Sequence, residues 1–137
     1  KPFTDKNSVK RDLEIMIPAA LAAKIPVVIG SAGGCGGEPH VRLTQEIILE
    51  IAREKGLSFK LAVIASEQSK EMLKHPLCPA KPIEAEDIDA AERIVAQMGE
   101  EPFIKALEAG ANVILAGRAY DPSVFAALAV KEGFDKI

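Results

Sequence analysis

Three short apolar segments, separated by longer stretches with helical spacing, constrain the fold of this chain more than any other feature. The segments are 26–29, 59–65 and 112–116. Short apolar runs bounded by turn residues are typical of strands, and the almost continuous run 59–65 indicates a strand buried on both faces. Strands that alternate with helices favour right-handed crossovers and a parallel sheet. The sequence therefore predicts an α/β fold of three layers, a Rossmann-like fragment with about three short parallel strands flanked by helices.

The segments between and around these strands predict helices. Ser8 is the expected N-cap of the first, which should kink or split at Pro18 because proline lacks a donor and clashes with the preceding turn. Pro39 suits the first turn of the second helix, and Ser66 is the expected cap of the third. Asp121, which is followed by a proline, is the expected start of the last helix. The predicted helices cover about 8–21, 38–55, 66–74, 84–98, 102–109 and 121–132.

Charge and composition narrow the classes of partner. The net charge is −3, and no run of basic residues exceeds two, so we expect no nucleic-acid partner. No apolar run approaches the roughly 20 residues that span a bilayer, and no signal-peptide pattern opens the chain. We therefore expect no membrane partner. Two cysteines do not make a disulfide framework, which favours a cytoplasmic protein.

The chain of 137 residues fits a single α/β domain over 1–137, and its 48 % hydrophobic content suffices for a core. It begins at Lys1, and a new apolar segment starts near its end. We expect it to be a piece of a longer protein. A sheet of three strands has two open edges, so we expect either a homo-oligomer or packing against the rest of the full-length protein.

The glycine-rich loop 30–37, directly after the first strand, is the best candidate for a ligand-binding feature. Five of its eight residues are glycine. In an open parallel sheet, ligands bind beyond the carboxyl ends of the strands, where this loop should meet the loops 66–67 and 117–121. Glycines allow close backbone approach, and the start of the Pro39 helix adds a positive dipole end. An anionic ligand is the natural inference.

The loop lacks the nucleotide fingerprints. It is not G-x-G-x-x-G, and no Lys-Ser or Lys-Thr pair follows it as a phosphate-binding P-loop requires. The alternative is a tight turn from strand to helix that needs glycine only for its backbone geometry.

Charged residues at the same edge also have two interpretations. Arg118 has a guanidinium fork that suits a carboxylate or phosphate, or else it forms an ordinary ion pair. Asp121 either faces the ligand or caps the last helix, and Glu67 is either a site carboxylate or a first-turn glutamate. The candidate ligand-binding residues are Ser31, Gly33, Gly34, Gly36, Gly37, Gly117, Arg118 and Asp121.

Cysteine and histidine offer two weaker candidates. Cys35 and His40 could form a nucleophile and its base, but no third group that would orient the base is evident. Together with His75 and Cys78 they form a possible zinc set, although the pairs lie in different loops and lack finger spacing. We therefore predict no metal site, and neither a catalytic residue nor a cofactor is assigned.

Three motifs together resemble a known family. They are VIGSAGG at 28–34, GEEPFIKALEAGA at 99–111 and VILAGRAYD at 113–121. The combination is similar to the acyclic terpene utilisation family (AtuA-like proteins), in which a strand ends in an Ala-Gly-Gly loop and a later strand ends in a Gly-Arg-x-x-Asp turn. The residues that match are Gly33, Gly34, Gly99, Pro102, Gly117, Arg118 and Asp121. Asn112 stands where the family usually has Asp, and Cys35 and His40 lie in its variable part.

The resemblance implies the inner part of a longer N-terminal α/β domain and a role in the catabolism of acyclic isoprenoids and related branched acyl compounds. It implies no particular reaction. Two hypotheses follow. One is an enzyme, or a subunit of one, that binds a small anionic or acyl ligand at the strand ends. The other is a non-catalytic ligand-binding or scaffold subunit of a catabolic complex.

Overall fold

The computed structural model describes residues 5–79 and 83–134. Six helices and three short strands lie in these two ranges. The helices are α1 Lys6–Ala23, α2 Glu38–Glu54, α3 Lys70–Lys74, α4 Ala85–Ala90, α5 Glu101–Glu108 and α6 Ser123–Lys131. The strands are β1 Val27–Ile29, β2 Leu61–Ile64 and β3 Val113–Ala116.

The three strands form one parallel sheet in the order β1-β3-β2. Val27 and Leu61 both lie in register with Val113. Successive residues of a strand face opposite sides of the sheet. Val113 and Leu115 accordingly join the core formed with α1 and α2, while Ile114 and Ala116 join the core formed with α5 and α6. The prediction of an α/β fold with a short parallel sheet between helices is confirmed.

The central and outer strands differ in burial. All four residues of β3 are buried, whereas β2 is only partly buried and the side chain of Val63 is 43 % exposed. The prediction that 59–65 forms a strand buried on both faces is therefore wrong. The strand is shorter, Leu61–Ile64, and it lies at one edge of the sheet.

The long helix predicted over 84–98 is not formed. Only α4 is helical, and the backbone from 91 to 98 runs extended beside other loops. Ala96 N donates to Ser66 O at 2.8 Å, Gln68 N donates to Ile94 O at 2.9 Å, and Met98 forms a bridge with Ala119. These contacts replace the hydrogen bonds that a helix would have made, and β-branched Ile94 suits an extended backbone.

Two helix starts and one helix interior also differ from expectation. The cap of α1 is Asp5 instead of Ser8, because the Asp5 carboxylate accepts from Asn7 N at 2.9 Å. Of the two outcomes predicted at Pro18, a kink or a split, the split does not occur, because α1 continues through Pro18 to Ala23. Helix α3 begins later than predicted, because the Ser69 hydroxyl caps it.

Within the described ranges, no helix has the length and apolar character needed to cross a membrane.

Helices α1 and α2 are linked by an ion-pair cluster. Lys10 Nζ lies 2.6 Å from Glu50 Oε1 and 2.8 Å from Glu54 Oε2, and Lys6 Nζ lies 3.1 Å from Glu50 Oε2. Hydrogen bonds from Lys10, and then from Lys6, lower the pKa of Glu50 below its ordinary value of 4.5. Hydrogen bonds to Glu50, and then to Glu54, raise the pKa of Lys10.

These contacts predict a pH-dependent effect of Glu50→Gln. A lowered folded-state pKa contributes stability that is present above the ordinary value of 4.5 and is lost as the pH falls through the folded value. We therefore expect Glu50→Gln to lower Tm at pH 7, and the difference from wild type to close as the pH falls below about 4. Glu46→Gln, at an exposed position on the same helix, is the control. A difference in Tm that persisted unchanged at pH 3 would contradict this account.

Candidate functional site

The glycine loop and the loop after β3 meet at the carboxyl edge of the sheet. Ser31 N donates to Gly117 O at 2.9 Å, and Ala32 N donates to Ala116 O at 3.1 Å. Gly117 N donates to Ile64 O at 2.8 Å, which brings the end of β2 to the same place. The three loops converge because the carboxyl ends of parallel strands share one edge.

The hydroxyl of Ser66 joins all three loops. The residue is 3 % exposed, and its Oγ donates to Gly36 O at 3.0 Å and accepts from Arg118 N at 2.7 Å. Ser66 was expected as a helix cap, and its position immediately after β2 was the available signal for a role at the strand ends. Ser31 makes a second link, since its Oγ lies 3.2 Å from both the O and the N of Ala119.

Two glycines are required by the packing of one loop on another. Gly36 has a φ of +70°, and a Cβ there would lie 2.1 Å from Arg118 N. A Cβ at Gly117 would lie 2.2 Å from Ser66 Oγ. Backbone packing alone therefore explains the glycine at position 36 of the glycine loop and the glycine at position 117 of the loop after β3. Gly37 differs, because a Cβ there would meet no atom closer than 3.9 Å.

The turn within the glycine loop uses Gly33 and Gly34, whose φ angles are +64° and +100°. These left-handed conformations favour glycine. Nothing in the geometry of this turn requires a ligand.

The positive end of α2 is occupied by a carboxylate of the chain itself. Glu38 N donates to Glu67 Oε2 at 2.8 Å, and Arg93 Nη1 donates to Glu67 Oε1 at 2.6 Å. Glu67 therefore caps the start of α2 from a distant loop, and its interpretation as a first-turn glutamate is wrong because α3 begins only at Lys70. An incoming anion would have to be bound elsewhere at this edge.

The side chain of Arg118 is the cation best placed for that purpose. It is 32 % exposed, with Nη1 3.4 Å from Ser31 Oγ and Nη2 3.2 Å from Gln97 Oε1. Nη1 also lies 3.9 Å from Asp121 Oδ1. These distances are long for hydrogen bonds to a guanidinium, so the contacts are weak.

Asp121 does not cap α6. That helix begins at Ser123 without a hydrogen bond from a capping side chain, and the Asp121 side chain is 82 % exposed. The capping interpretation is therefore wrong, and the carboxylate stays near Arg118 in solvent.

Cys35 and His40 lie in contact. Cys35 Sγ is 3.0 Å from His40 Nδ1, because the five-residue separation spans the end of the glycine loop and the first turn of α2. Both residues line a cleft of about 540 Å³. Their five-residue separation in the sequence was only weak evidence that the two side chains act together.

The zinc set considered from the sequence does not form. Across residues 5–79 and 83–134, no three His, Cys, Asp or Glu side chains come together in a way that could hold a metal ion. His75 and Cys78 lie in the loop after α3, where Cys78 N donates to His75 O at 2.9 Å.

The packing of Gly36 on Gly117 predicts a large cost for Gly36→Ala. A left-handed alanine costs about 1–2 kcal/mol and overpacking adds about 1–3, so we expect a loss of about 2–5 kcal/mol in the free energy of unfolding. Gly56→Ala is the matched control, because Gly56 has a φ of +61° but nothing within 4 Å of the added Cβ. Urea denaturation measures the free energy of unfolding of both variants. Equal losses of unfolding free energy in the two variants would show that the packing of Gly36 on the loop after β3 adds nothing to the cost of the substitution.

Comparison with known proteins gives one match. The model of the acyclic terpene utilisation family protein AtuA matches residues 5–134. Searches of curated proteins and of solved structures found no match. The matched residues include the three strands, both cores and all three loops at the carboxyl edge. This chain therefore belongs to the acyclic terpene utilisation family.

Proposed function

We propose that this chain binds a small carboxylate or acyl compound at the carboxyl edge of its sheet, as part of the breakdown of acyclic terpenes and related branched acyl compounds. The family supplies the metabolic context. The arrangement of Arg118 supplies the chemistry of the site.

Arg118 is the observation that carries this proposal. Its guanidinium stands beyond the end of the central strand, partly exposed and weakly held by Ser31 and Gln97. A planar fork of donors matches the two oxygens of a carboxylate. A ligand carboxylate would replace contacts of 3.2–3.9 Å with short charge-assisted bonds.

The neighbours of Arg118 fit the same type of ligand. The Ser31 hydroxyl and the Gln97 amide add polar groups beside the guanidinium. Tyr120, which is 55 % exposed in the same loop, adds an aromatic surface for a branched hydrocarbon chain. Of the predicted residues, Ser31, Gly37, Arg118 and Asp121 are the ones for which ligand contact is proposed.

A non-catalytic scaffold subunit is the second candidate. The half-exposed Val63 on outer strand β2 and the open edge of β1 favour it, because sheet edges are ready to pair with another chain. A second copy or the remainder of a longer protein would satisfy these edges. Co-purification of a stoichiometric partner, with no turnover by either protein alone, would select this candidate.

We place the protein in the cytoplasm in either case. Cys35 and Cys78 are both free thiols, and Cys35 is exposed. Such thiols persist in a reducing compartment.

The proposal predicts that Arg118→Ala weakens ligand binding without unfolding the protein. With 3-methylbutanoate as the probe, we expect affinity to fall roughly 10- to 100-fold, because a charge-assisted hydrogen bond contributes about 1.5–3 kcal/mol. Isothermal titration measures the binding, and a thermal melt measures the fold.

Arg42→Ala is the matched control. Arg42 is an exposed arginine on α2 whose partner is Glu38. It should leave both binding and Tm nearly unchanged. Wild-type affinity in Arg118→Ala, or a loss of Tm that accounts for the lost binding, would contradict the assigned role.

A further inference from the structure

We propose that Cys35 and His40 form a nucleophile and its base, and that Cys35 accepts an acyl group from a thioester. This inference extends the proposed function, since it assumes that the ligand can be an activated acyl compound. It concerns a different group of side chains from Arg118.

The geometry of the pair is that of a thiol beside its proton acceptor. Sγ of Cys35 and Nδ1 of His40 are 3.0 Å apart, and the Cys35 side chain is exposed. A nucleophile and a base within hydrogen-bond reach is the arrangement that activates a cysteine. Cys78, the other cysteine, has no such contact with an imidazole nitrogen in the described part of the chain.

The cleft beside the pair has the volume and the apolar lining residues to take an acyl chain. It has a volume of about 540 Å³, and Pro39, Ala91 and Val95 provide apolar walls. Arg93 also lines it, held by Glu67 at 2.6 Å. The extended segment after α4, which was predicted to be helical, forms one side of this cleft.

Backbone donors stand next to the nucleophile. Among the described residues, the N–H groups of Cys35 and Gly37 have no hydrogen-bond partner, although Gly37 is buried. Buried backbone donors are rarely left unpaired. Donors beside a nucleophile are the groups that stabilise the negative oxygen formed when a carbonyl carbon is attacked.

The chemical step is a thiol exchange. As the Cys35 sulfur attacks the thioester carbonyl carbon, His40 Nδ1 takes the thiol proton, which requires the neutral tautomer protonated on Nε2. A bond forms between the carbonyl carbon and the Cys35 sulfur, and the bond to the carrier sulfur breaks. The carrier thiolate then takes the proton from His40. The products are acyl-Cys35 and a free thiol, and no oxidant or reductant is needed.

The test uses the S-(3-methylbutanoyl) thioester of N-acetylcysteamine as the probe, with mass spectrometry of the peptides that contain Cys35 and Cys78. We expect acylation at Cys35, and a loss of rate on the order of 100-fold in His40→Gln, because general-base assistance contributes about that much. Cys78 serves as the internal control. Its rate should be the same in both proteins, which also shows that His40→Gln is folded.

Two results would overturn the inference. One is equal acylation of Cys35 in wild type and His40→Gln, which would show that exposure alone makes the thiol reactive. The other is no acylation of Cys35 in wild type. Neither result affects the binding of 3-methylbutanoate, so a failure of this step is distinguishable from a failure of the Arg118 site. Acylation of Cys35 that slows in His40→Gln, together with loss of carboxylate binding in Arg118→Ala, would support both.

Discussion

The arrangement of the whole carboxyl edge depends on one buried hydroxyl. Ser66 Oγ accepts the Arg118 N–H and donates to Gly36 O, so one atom fixes three loops that are far apart in the sequence. The contact is possible only because Gly36 and Gly117 have no side chains to separate the backbones. Through it, the start of α2, the Arg118 side chain and the cleft beside Cys35 keep their relative positions.

The local patterns in the sequence were enough to predict the class of fold. Apolar runs placed the three strands, and Pro39 placed the first turn of α2. The order of the strands could not be read in the same way, because an apolar run does not show which neighbours it will have. The run 59–65 was predicted to be buried on both faces, yet β2 lies at the edge of the sheet and Val63 is exposed. The prediction of a helix over 84–98 failed for a related reason. The backbone of the second half of this segment pairs with Ser66 and Ala119, and the spacing of apolar residues does not reveal partners so distant in the sequence.

The positions of the loops at the site could be predicted from the topology of the sheet. The pairing of charged side chains from different loops could not be predicted. Parallel strands bring their carboxyl ends together, so the convergence of the glycine loop with the loop of Arg118 followed from the α/β pattern. We expected the positive end of α2 to be open to a ligand because we considered that helix without its neighbours. Glu67 comes from another loop, and Arg93 reaches it from 26 residues further along the chain. The contact of Cys35 with His40 was within reach of sequence reasoning, but its cleft depends on the unexpected extended segment.

The carboxylate of Glu67 at the start of α2 has a consequence for selectivity. A tethered group acts at an effective concentration on the order of millimolar or above, so it competes strongly with free anions that bind weakly. Inorganic phosphate and the nucleotide phosphates abundant in a cell would meet a position already filled and already neutralised by Arg93. The start of α2 is thereby closed to free anions, so any anion that this edge binds would have to be held by other groups, such as Arg118.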